Sequence, residues 1–173
     1  MEPNIRWAMD FVSGGRRNGS NIRVLTVIDE VTRECLALEV NHSLTGKRVT
    51  AVLNGIAPFR GLPKEILTDN GSVFTRNMMN AWADDYKLEH IFTDPGRPTQ
   101  NGYIESFNGK LRAAGLNQHW FRNIPEAKDT IENWCLEYNQ VRPHSSLNNL
   151  TPVEYALELS CNYEHSPYAK YEL

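Results

Sequence analysis

A chain of 173 residues with 40% hydrophobic content is long enough to bury the core of one compact domain. No stretch approaches the roughly 20 uninterrupted apolar residues of a membrane span, and the first residues lack the apolar run of a secretory leader, so a cytoplasmic location with no membrane partner is expected. The net charge of −3 argues at first sight against a nucleic-acid partner, which usually leaves a basic footprint. Three widely spaced cysteines, Cys35, Cys135 and Cys161, form no Cys-x-x-Cys pair and read as reduced, mostly buried small hydrophobes.

Ile5, Trp7, Met9 and Phe11 alternate with Arg6, Ala8 and Asp10, which predicts a strand with Asp10 facing away from the large apolar side chains. A turn rich in Gly and basic residues (Gly14, Gly15, Arg16, Arg17, Gly19) should follow. Strands over Ile22 to Val31 and Cys35 to Val40 then complete an antiparallel meander. Asp29, Thr32 and Arg33 read as the polar turn between these two strands. Val49, Val52, Leu53 and Ile56 recur at helical spacing, with Ser43 or Thr45 as N-cap and Gly61-Leu62-Pro63 as the stop. Glu65 to Thr68 is a short strand ending at the turn Asp69-Asn70-Gly71.

Met78, Met79, Trp82 and Tyr86 mark a second helix before a strand over Leu88 to Phe92. After Pro95, Gly96 and Pro98 a helix beginning near Thr99 carries Ile104, Phe107 and Leu111 on its apolar side. Asn123-Ile124-Pro125-Glu126 has the form of a capping box opening a helix through Ile131, Trp134 and Tyr138. Three antiparallel strands followed by strand-helix alternation imply an α/β fold: a five-stranded mixed sheet with helices on both faces. The core is expected over 1–160, and 161–173 as a loosely ordered tail.

Three acids fall where a sheet and an adjoining helix converge. Asp10 lies in the first strand, Asp69 at the end of the fourth, and Glu105 about a turn into a helix. An Asp inside a strand is unusual, being costly to bury unpaired. The other two have ordinary alternatives as a turn former and a solvated helix residue. Carboxylates on rigid elements suit magnesium, which takes hard oxygen ligands. Asn101, Glu105, Asn108 and Arg112 share one helical face, which puts amides and a cation beside the acid as candidate phosphate contacts. Two divalent ions would also turn the net charge from −3 to +1.

Trp7-Ala8-Met9-Asp10-Phe11, Thr68-Asp69-Asn70-Gly71, the run from Asn101 to Arg112, and Tyr138-Asn139-Gln140-Val141-Arg142-Pro143-His144 with Thr151-Pro152 resemble the integrase-core domain of bacterial insertion-sequence transposases of the IS-three group. Thirty-five residues stand between Asp69 and Glu105, and Arg112 follows the Glu by seven, as that family's pattern of two Asp and one Glu requires. The resemblance implies a ribonuclease-H-like fold and a catalytic, metal-binding triad of Asp10, Asp69 and Glu105 holding two Mg2+ or Mn2+ ions. It implies cleavage and strand transfer at element ends in the bacterial cytoplasm, with DNA ends and target as partners. The full-length transposase would add an N-terminal helix-turn-helix region and act as a homo-oligomer.

Arg97, Lys110, Arg112, Asn101, Asn108 and Arg142 are the DNA-binding candidates, although Arg97 and Lys110 could equally be solvated, and the motif around Tyr138, Asn139, Pro143 and His144 reads mainly as chain reversal after a helix. The chain departs from many relatives at Ala113-Ala114-Gly115, which stands where they carry Asp-Glu-Cys. Two alternatives are a ribonuclease-H-like nuclease or resolvase, which would hydrolyse without joining, and a silent DNA-binding or scaffolding domain.

Overall fold

A computed structural model of the chain describes residues 2–15, 21–73, 77–93 and 101–164. Strands β1 (Arg6–Gly15), β2 (Asn21–Asp29) and β3 (Cys35–Asn41) pair antiparallel. Helix α1 (Gly46–Arg60) then carries the chain back to β4 (Glu65–Thr68), and α2 (Asn77–Asp85) leads to β5 (Glu89–Phe92). β4 joins β1 in parallel and β5 joins β4 in parallel, giving the order β3-β2-β1-β4-β5. The expected five-stranded mixed sheet is therefore present, with β1 at its centre. After it come α3 (Gly102–Lys110), a π-helical turn (Leu111–Leu116) that continues it, α4 (Ile124–Gln140) and α5 (Pro152–Glu164). The segment expected as a loose tail from 161 is thus helical to Glu164, and residues from 165 lie outside the described ones.

Alternation along β1 feeds two cores. Trp7 and Met9 pack with Leu25, Val27 and Ile66 against Val49 and Leu53 of α1 and Met79 and Trp82 of α2. Ala8 and Val12 point the other way, into a cluster with Ile104 and Phe107 of α3, Leu111, and Ile131, Trp134 and Tyr138 of α4. A strand buried on both faces is what the middle of a covered sheet requires. Asp10, between Ala8 and Val12, falls by the same period of two on the α3 side, as the sequence predicted.

Local chemistry sets the boundaries. Thr45 caps α1, its hydroxyl accepting from the Arg48 N–H, and Gly61 closes the helix at φ +85°. Asn123 caps α4 by accepting from the Glu126 N–H at 2.8 Å. The expected reciprocal bond is absent: the Glu126 carboxylate accepts from the N–H of Arg122, one residue before the cap. Asp29 is fully buried in the β2–β3 turn, accepting from the N–H groups of Val31, Thr32 and Asn4. This supports its reading as a turn former.

Some expectations need correction. Gly14 and Gly15 belong to β1, paired with Ile22 and Asn21, and not to a turn. A Cβ on Gly14 would lie 3.2 Å from Leu116 Cδ2, so this strand end stays bare where the π-turn packs onto it. The helical path of α3 continues through Gly115. Its wider π-turn brings Gly115 and Leu116, four and five residues past Leu111, to the buried side together. Cys35 is buried as expected, but Cys161 is exposed on α5.

Candidate active site

The strand pairing brings two of the three acids together. Met9 is the parallel partner of Thr68, so Asp10 in β1 and Asp69, the first residue past β4, each follow a paired residue on adjacent strands. Such strands lie about 4.8 Å apart. Both carboxylates are half-buried. The Asp10 carboxyl is held above the usual carboxylate range, chiefly by burial and further by the negative charge of Asp69. Hydrogen bonds from the Phe11 N–H (2.7 Å) and the Asn108 amide (2.8 Å), and the charge of Arg112, pull the other way.

Asp69 is fixed by its own turn, with Oδ1 accepting from the Gly71 N–H at 2.9 Å. Gly71 has a second use that its reading as a turn residue missed. A Cβ there would lie 2.7 Å from Asp69 Oδ1, so any side chain displaces that carboxylate. The signal was visible only as the Asp-Asn-Gly triplet, which cannot show the direction of the carboxylate.

The third acid comes from α3. Asn108 Nδ2 donates to Asp10 Oδ2 and latches this helix to the central strand. Glu105 lies three residues earlier, one turn along, with its side chain exposed. Among the described residues no three Asp, Glu, His or Cys side chains are already gathered closely enough to hold an ion. The two half-buried Asp carboxylates nevertheless fit a divalent cation. They lie within each other's field, the Asp10 carboxyl being raised by burial and by the charge of Asp69, and hard oxygen donors are what magnesium takes.

The DNA-binding candidates divide. Asn108 is 1% exposed and spends its amide N–H on Asp10, so it positions a carboxylate and does not face a ligand. Asn101 is also buried, and it sits at the N-cap of α3 without a side-chain capping bond, while the expected helix start near Thr99 lies outside the described residues. The predicted polar stripe is therefore solvent-facing only at Glu105 and Arg112. Lys110 is exposed, Arg142 is half-buried and paired with Glu137, and Arg97 lies outside the described residues. Asn139 fulfils its structural reading, donating to the Cys35 carbonyl and accepting from the Cys35 N–H at 2.8 Å each.

A central strand carrying one acid, a parallel neighbour ending in another, and a helix latched across them define an α/β domain of the ribonuclease-H-like class. Two models of the integrase core domain match the chain, over residues 1–98 and 86–152. The chain belongs to the integrase core domain family. It is 46% identical over 154 residues to an uncharacterized 39.2 kDa protein of insertion element IS476 from Xanthomonas euvesicatoria, which covers 89% of this chain and 44% of that protein. It is 30% identical over 168 residues to the putative transposase InsD for insertion element IS2E of Escherichia coli, covering 93% of this chain and 77% of that one. The chain spans 44% and 56% of the first two relatives it matches. The HTLV-2 integrase catalytic core domain, solved in complex with magnesium, superimposes with a TM-score of 0.74 at 18% identity, over 90% of this chain and 98% of that one. The catalytic core domain of BIV integrase does so with a TM-score of 0.69 at 17% identity, over 94% and 99%.

Proposed function

We propose that this chain is the catalytic core of an insertion-element transposase that cuts DNA at element ends and joins the freed end to a second strand, with Asp10, Asp69 and Glu105 as its acidic triad. One observation carries the reading: in a chain of the integrase core family, Asp10 on the central strand and Asp69 just past the end of its parallel neighbour follow the paired residues Met9 and Thr68, while Asn108 ties the helix of Glu105 to Asp10.

Asp10, Asp69 and Glu105 would hold two Mg2+ or Mn2+ ions, and the magnesium in the HTLV-2 integrase core supports a divalent metal for this fold. Bound there, such ions activate the attacking oxygen and stabilise the leaving one. Asn108 holds one Asp10 oxygen in a fixed direction, and the bare Cα of Gly71 leaves the Asp69 carboxylate its place. Arg112, exposed one helical stretch beyond Glu105 and within electrostatic reach of Asp10, would meet a scissile-strand phosphate. In the full-length protein a helix-turn-helix region would read the element ends, and a homo-oligomer would pair them in the bacterial cytoplasm. An enzyme that only hydrolysed would use the same acids, so strand joining is the discriminating activity.

The test is a cleavage and joining assay on element-end DNA with full-length transposase carrying Asp10→Asn, Asp69→Asn or Glu105→Gln. Each exchange removes a ligand charge at constant volume and is expected to lower both activities by about a thousandfold or more, the equivalent of several kcal/mol of transition-state stabilisation. Near-normal turnover by any one of them would sink the triad.

A further inference from the structure

On the other flank of α3 lies a second group of charges that the triad does not use. Lys110 follows Glu105 by five residues, about 140° further round a helix that turns roughly 100° per residue. Glu105 and Lys110 thus border the two sides of the exposed arc of α3. Lys110 Nζ stands 5.8 Å from the ring of Tyr138, which is itself buried on α4. Arg142, just past the end of α4, holds its guanidinium 5.7 Å over Trp134, whose ring stacks on Tyr138 at 5.3 Å. Arg33 reaches in from the β2–β3 turn, 3.2 Å over the ring of Tyr103 on α3.

Two further observations single out this cluster. Arg33 occupies the left-handed region at φ +61°, where a non-glycine residue costs energy and where Asn or Gly is the usual occupant. The cations also lie within one another's fields. Burial, then Arg142 and Arg33, push the Lys110 ammonium down, and the imidazole of His144, edge-on to Tyr138 at 4.9 Å, is pushed down by burial and by all three cations. Glu137 pairs with Arg142 and Glu30 lies within reach of Arg33, but Lys110 has no carboxylate partner among the described residues. Gathering like charges is unfavourable unless an anion relieves it.

We propose that Arg33, Lys110 and Arg142 form a binding site for a backbone phosphate of DNA, on the flank of α3 opposite Glu105. A strand crossing the exposed arc of α3 would then be gripped on one side and presented to the acids on the other. The inference rests on the reading of this chain as a DNA-acting core, and it concerns binding alone.

The experiment is a salt-series titration of the chain against a short duplex of arbitrary sequence without divalent metal, so that the triad has no part in it. Lys110→Ala removes an exposed, unpaired cation, and Arg33→Asn removes charge while keeping a residue that tolerates the left-handed region. Each should flatten the slope of log affinity against log salt by about 0.9, so that binding falls roughly threefold less between 50 and 200 mM salt. Lys110→Arg should restore the slope, and Lys47→Ala, on the far face in α1, should leave it unchanged. A wild-type slope in Lys110→Ala, or equal flattening by Lys47→Ala, would overturn the site. Failure of the catalytic reading would show separately, as full activity in triad variants with these slopes intact.

Discussion

Asp10 is the residue on which structure and chemistry meet. Its folded-state carboxyl is raised by burial and by Asp69, so the native state holds its proton to higher pH than the unfolded chain does. Its ionisation therefore costs stability as pH rises from the ordinary value of 3.8 through the raised one. Asp10→Asn is expected to melt above wild type at pH 7 without metal, the difference shrinking as pH falls toward 4. The introduced amide can be accommodated, because the buried Asn108 Oδ1 lacks a partner and can accept from it after a flip. Thermal melts across pH check this, and a variant less stable than wild type at pH 7 would contradict the strained-carboxylate account. Gly71→Ala makes the complementary case: the atom in the way is a side-chain oxygen, so the fold should survive within about 0.5 kcal/mol while the Asp69 carboxylate is displaced. Catalysis and metal response should fall as they do for Asp69→Asn.

What was legible at this scale follows from periodicity. The period of two placed Asp10 on the correct face, because a strand has only two faces to choose between. The helical wheel grouped Asn108 with Glu105 but could not tell which part of that face tilts onto β1. The buried part of that face is therefore the part spent on packing: Asn108 latches α3 to β1, and Asn101 is buried at the N-cap.

Among the elements, α3 and α4 place the site, and an asparagine on each bonds it to the sheet. Asn139 bonds both backbone groups of Cys35 and so docks the end of α4 on β3 across 104 residues of sequence. Asn139→Ala would strand a buried N–H and C=O, at a cost of about 2 kcal/mol or more. For a domain of this size that is a fall in melting temperature of roughly 4–8 °C, readable by calorimetry. No change would mean that the apolar contacts of Trp134 and Tyr138, with the Lys128–Glu39 ion pair, hold α4 without it. Caps and breakers such as Thr45, Gly61 and Asn123 were legible because they act within a turn of themselves. The π-turn was not, since it arises from the need to bury Leu111, Gly115 and Leu116 together against elements distant in sequence.

At the scale of the whole molecule, the sheet order makes β1 and β4 neighbours in the centre, so two acids 59 positions apart meet without any loop having to fold over them. Strand-helix alternation made this architecture legible, although the crossing that sets β4 beside β1 is a property of packing on both faces. The most direct test of the proposed metal centre is the melting temperature of the chain with and without millimolar manganese, for wild type and for Asp10→Asn, Asp69→Asn and Glu105→Gln. An ion that binds only the folded state at a hundredfold excess over its dissociation constant adds about 2.7 kcal/mol, or roughly 5–10 °C here. Wild type is expected to gain that rise and each variant to lose most of it; no rise in wild type, or the same rise in all four proteins, would contradict a metal site built from these three acids.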